Sequence, residues 1–107
     1  MDEVKTIVPN ILKDMLGEVK GAKEYLDLAM GATSIDHKKK FIEMANQELT
    51  HYDNLCEMMK EKMRMHPNDI MIDNNIVAKT LYDDMKSWKH HVTEHVHSMM
   101  EELGIKV

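Results

Sequence analysis

Apolar residues recur every three to four positions along three long stretches of the chain, the pattern of amphipathic helices rather than strands. At about 100° per residue, Ile7, Ile11, Met15, Ala22, Tyr25 and Ala29 fall within roughly 60° of Glu18 on the first stretch. On the second, Phe41, Met44, Ala45, Tyr52, Leu55, Met59 and Met63 fall within roughly 60° of Glu48. The third carries the stripe Val77, Leu81, Met85, Trp88, Val92, His95 and Met99. Leu12, Leu16, Val19 and Met30 lie roughly 100–160° from Glu18, so the first helix has two faces to bury and must touch more than one neighbour.

Local punctuation divides these stretches. The first helix is expected over about residues 7–30, with Pro9 tolerated in its first turn and Gly31 at its C-terminal cap. Thr33-Ser34-Ile35-Asp36 reads as a helix start, a hydroxyl cap with an acid three residues after Thr33, and opens a helix over about 34–65. His66-Pro67-Asn68-Asp69 ends it. Asp73 is placed to cap a third helix over about 74–103, stopped by Gly104. The expected class is all-α, an antiparallel long-helix hairpin plus a third helix, within a single domain spanning 1–107.

Composition narrows the function. A hydrophobic share of 43%, with 31% charged residues and few Gly or Pro, fits an ordered helical protein and argues against disorder. The net charge of −5 and the short, isolated triplet Lys38-Lys39-Lys40 give no footprint for nucleic acid. No stretch reaches membrane-spanning length, and the acidic start Met1-Asp2-Glu3 is unlike a signal peptide, so a cytoplasmic protein is expected. The single Cys56 excludes an intrachain disulfide and reads as a buried, reduced thiol. Twelve Met with seven His could suggest copper, but most of the Met occupy core positions where a flexible filler is ordinary.

The chemistry centres on Glu48-Leu49-Thr50-His51. Residues three apart on a helix project from one side, so Glu48 and His51 form a two-point clamp. Glu18 and Glu48 each sit at the middle of an apolar stripe with no Lys or Arg at its centre. Two ionised carboxylates aimed into one core would each cost several kcal/mol unless a cation, a proton or a salt bridge compensates. A bound metal is the simplest compensation; the alternative is that both carboxylates flank a helix interface with His51 at its rim. Counted from the first bend, Glu18 lies at roughly 18 Å and Glu48–His51 at roughly 21–26 Å, level within a turn. The third helix reaches that level near Trp88 to His91, which makes His91 and His95 further candidates. Glu94-His95-Val96-His97 repeats the Glu-x-x-His spacing, but Glu94, His97 and His90 read as solvated.

At these residues the chain resembles the ferritin-like superfamily, particularly rubrerythrin-type proteins and the short encapsulated ferritins. Phe41 to His51 is similar to the family's second-helix signature, an aromatic and an Ala before Glu-x-x-His, and Glu18 to Tyr25 is similar to its first-helix pattern. The likeness covers roughly residues 11–63. It implies Glu18 as a terminal ligand, Glu48 as a carboxylate bridging two irons, His51 as a ligand to one iron, and Tyr25 as a supporting residue that hydrogen-bonds near the site. A di-iron bundle needs two single-Glu helices and two Glu-x-x-His helices, and this chain supplies one of each. The resemblance therefore implies a four-helix bundle completed by dimerisation, with two iron ions per dimer and a larger homo-oligomer as an option. The implied activity is oxidation of Fe(II) by O₂ for storage or detoxification, with zinc or manganese as other fits to the ligand set. The chain departs from those relatives at Gly17 and Lys20, where further carboxylates would serve iron access. It ends at Gly104-Ile105-Lys106-Val107 without an extension that would target an encapsulin shell. The reading from another class is a metal-binding or metal-free helical interaction module, such as a phage or mobile-element protein.

Overall fold

The computed structural model describes residues 2–65 and 76–106, with side chains at 10–61, 80 and 82–106. Three helices account for nearly all of it: α1 (Asp2–Gly31), α2 (Ile35–Met65) and α3 (Ile76–Glu102). The protein is all-α. The expected break at 66–69 and the Asp73 cap lie outside the described residues, as do the side chains of Ile7, Met63, Val77 and Leu81. No helix among the described residues is long and apolar enough to cross a membrane.

The helix ends differ from the sequence reading in three places. α1 starts at Asp2, not near residue 7. Pro9 consequently falls about two turns inside the helix, where it forfeits one backbone bond. Ser34, not Thr33, caps α2: its Oγ accepts from His37 N at 3.4 Å and its carbonyl from Lys38 N at 3.0 Å. Gly31 is the last residue of α1 and keeps a negative φ. The open carbonyls of α1 are met from α2 instead, where Lys38 Nζ donates to Ala29 O at 3.1 Å and to Met30 O at 3.4 Å. At the end of α3 the expectation holds. Gly104 adopts φ +72°, Ile105 N donates to Met100 O at 2.8 Å and Gly104 N to Glu101 O at 3.1 Å, a Schellman cap.

α1 and α2 form an extended antiparallel pair, and α3 packs against both. The molecule measures 51 × 21 × 17 Å, a rod so thin that a helix can bury only one flank. That flank comprises Ile11, Leu12, Met15, Val19, Ala22, Leu26 and Ala29 from α1, and Ile42, Ala45, Leu49, Tyr52 and Met59 from α2. α3 adds Met85, Val92, Val96 and Met100. On the helical wheel its centre lies about 60–75° from Glu18, from Glu48 and from the Trp88–Met99 line. The apolar stripes are real, but their middles form the margin of the core because the third helix pulls each buried face toward itself. Met44 (38% exposed) accordingly faces solvent, and His95, expected inward, is exposed; Met30 (63%), expected on the second apolar face, is exposed at the end of α1.

Between α2 and α3 the contact includes polar groups. Lys89 pairs with Asp53 at 3.1 Å and lies 5.5 Å above the Tyr52 ring. Cys56 is half-buried and meets Tyr82. Burial, then Cys56 and its neighbours, pushes the Tyr52 hydroxyl up to about 12, and burial followed by Cys56 raises Tyr82, so both stay neutral phenols.

Candidate metal centre

Glu18 projects from α1 toward α2, where Glu48 and His51 lie one turn apart. His51 Nδ1 stands 3.5 Å from Glu18 Oε2 and 3.9 Å from Glu48 Oε1. Each residue offers one ligand atom within 4.8 Å of the others, and among the described residues no second group of three His, Cys, Asp or Glu converges in this way. The expected set from two helices is thus brought together at matching height.

The setting is a groove, not a closed core. The Glu18 and Glu48 side chains are 24% and 27% exposed and His51 56%. A cleft of about 630 Å³ opens here, lined by Lys13, Asp14, Gly17 and Asn54 beside the three site residues and Leu55. No described side chain of α3 lines it; His91 and His95 are exposed on that helix. Tyr25 is half-buried against the core two turns along α1, and no hydrogen bond joins its hydroxyl to a site carboxylate.

Electrostatically the two carboxylates are only partly compensated, by His51. Glu48 is raised from 4.5 to about 7, first by hydrogen bonding between its acid form and Glu18, next by desolvation, then by the Glu18 charge; His51 opposes the shift. Glu18 Oε2 is buried and accepts no hydrogen bond, its one near charge partner being His51 Nδ1 at 3.5 Å, whereas most buried oxygens in proteins are hydrogen-bonded. Two carboxylates and an imidazole at this separation suit a divalent cation at ligand bonds of about 2.0–2.2 Å. A cation placed among them would meet the orphaned oxygen and displace the Glu48 proton together.

Two contributors escaped the sequence reading. A Cβ built on Gly21 would lie 2.9 Å from Glu48 Oε2, so this glycine makes the space into which the carboxylate reaches. Its signal was a Gly in mid-helix, normally costly by about 1 kcal/mol, one turn after Glu18. Asp14, one turn before Glu18, puts another carboxylate on the groove wall. Comparison of the chain with protein-family models, with curated proteins and with solved structures returns no match.

Proposed function

We propose that the chain binds ferrous iron through Glu18, Glu48 and His51 and oxidises it with O₂ as electron acceptor, as a ferritin-like protein whose centre is shared across a homodimer. The observation that carries this reading is the converging donor set with its unmatched Glu18 Oε2. Carboxylate-rich ligation with one imidazole suits Fe(II), and also Mn(II) and Zn(II). Iron here is substrate. The chain's own part is to present Glu18 as a fixed acceptor, to release the proton held by Glu48, and to turn His51 Nδ1 toward both carboxylates.

The open side of the groove supports the dimer. One chain supplies three donors, too few to enclose two ions, and the site flank leaves apolar surface in water. By the helical wheel, Leu28 (50% exposed), Met44 (38%) and Met58 (55%) lie on that flank, with half-buried Tyr25 and Leu55 between them. A second copy related by a twofold axis would cover this band and bring another Glu18, Glu48 and His51 to the same place.

Anaerobic titration of the apo-protein with Fe(II), followed by admission of O₂, tests the reading. The expected result is one iron per chain, rapid oxidation, and loss of both in Glu18→Ala and Glu48→Ala. Binding of zinc or manganese without Fe(II) oxidation would replace the ferroxidase with a structural metal site. A folded dimer that binds none of the three would leave a helical interaction module.

A further inference from the structure

We propose that the cation reaches Glu18, Glu48 and His51 from one side only, the end of the hairpin away from the bend, and that Asp14 draws it in. This inference rests on the metal-binding reading above. The cleft runs one way from the centre: its remaining lining is Gly17, Asp14 and Lys13 on α1 and Asn54 and Leu55 on α2. In the direction of the bend, Gly21, Tyr25 and Met44 take no part in it. There the Glu48 carboxylate lies over Gly21, with Oε2 2.9 Å from the place of a Cβ, and stops the groove.

Asp14 has the properties of an attractor rather than of a ligand. It lies about 6 Å along α1 from Glu18 and about 40° round the helix from it. It is exposed on the cleft wall, and among the described residues no hydrogen bond or ion pair engages it. It also stays outside the group whose donor atoms converge within 4.8 Å. An unpaired charge so placed acts on a cation in passing, and the low-dielectric walls of a cleft focus its field.

The neighbours of Asp14 fit the same role. Gly17 keeps the approach wide, since a Cβ built there meets nothing within 4 Å. Lys13 lines the same stretch with the opposite sign, so two adjacent residues set the pull on an entering ion. The exposed apolar residues stand to either side, Leu28 and Met44 toward the bend and Met58 toward the far end. A second copy seated on them would leave this polar stretch between its contacts.

The test uses the full chain and Co²⁺, whose visible absorption follows association in stopped flow, with calorimetry for affinity; neither depends on ferrous oxidation. Asp14→Asn is expected to slow association about 5-fold near about 0.01 M ionic strength and less at about 0.15 M, as the screening length shortens. Because the ion passes Asp14 and rests beyond it, Kd should stay within about twofold. Asp14→Glu should keep the parent rate, and Lys13→Gln should raise it. Glu24→Gln makes the same charge change at an exposed residue roughly 9 Å from Glu18 on the bend side, and should alter the rate little.

An unchanged rate in Asp14→Asn would overturn the proposal, as would equal slowing by Glu24→Gln, the mark of net charge alone. A loss of affinity of about 10-fold or more in Asp14→Asn would make it a ligand and overturn it too. A parent chain that takes up no Co²⁺ would overturn the metal-binding reading and this inference together.

Discussion

Glu48–His51 on α2 and Glu94–His97 on α3 are the same four-residue spacing on the same kind of helix, and they end in different surroundings. The α2 pair faces a carboxylate from another helix: His51 approaches Glu18 at 3.5 Å, and the Glu48 acid form is held up to about 7. The α3 pair points outward, and Glu94 finds its partner, His90, on its own helix. Spacing sets the bite between two donors, and the facing helix decides whether a desolvated cluster forms. The groove holds two carboxylates in conflict, which a bound cation would relieve, whereas the ridge holds an ordinary exposed ion pair.

The largest expected effect comes from removing the facing group. Glu18→Ala should weaken Fe(II) or Mn(II) binding by at least about 100-fold, since it removes a direct ligand where lost outer-shell partners alone cost 10- to 100-fold. It should also return Glu48 toward an ordinary carboxylate, which a pH titration of that side chain would report. If affinity survives, the facing helix is irrelevant and the two Glu-x-x-His pairs are equivalent.

The next effect is pH dependence. Because the folded chain holds the Glu48 proton up to about 7 against 4.5, the stability this group contributes to the apo-protein is full below about 4.5 and is lost as pH rises through 7. Metal must displace that proton, so Mn(II) affinity should climb between about pH 5 and 7 and level off above. Denaturant unfolding with and without Mn(II) checks both slopes, and Glu48→Gln should remove the apo-protein trend.

Gly21→Ala should be smaller and opposite in its two readouts. Helix propensity favours the alanine by up to about 1 kcal/mol, while the new Cβ, 2.9 Å from Glu48 Oε2, moves the carboxylate and weakens metal binding by about 10-fold. Affinity unchanged in a stabilised variant would show that the glycine is incidental. Smallest of all, Glu94→Ala should leave Fe(II) oxidation within about twofold of the parent, because Glu94 does not line the groove.

The helices, their antiparallel pairing and the height match of Glu18 with Glu48 were legible because each follows from period and rise alone. The rotation of each helix was not. A wheel shows that Glu48 and His95 lie within apolar arcs, but which part of an arc is buried depends on where the third helix packs, and it turned both to the margin. Gly21 was invisible for a related reason: its requirement comes from an oxygen on another helix. Ser34 took the cap from Thr33 although both carry the needed hydroxyl, a choice that residue type cannot make.

The bond from Lys38 to the last carbonyls of α1 constrains which insertions the chain can accept. It clasps the hairpin where the helices part, roughly 17 Å from Glu18. One extra residue in the turn, unless it bulged out whole, would slide α2 by about 1.5 Å and rotate it by about 100°, carrying Glu48 away from its opposite number. The turn is therefore free to drift in identity but not in length: the nine-residue step from Ala29 to Lys38 acts as the ruler by which two distant carboxylates are kept abreast.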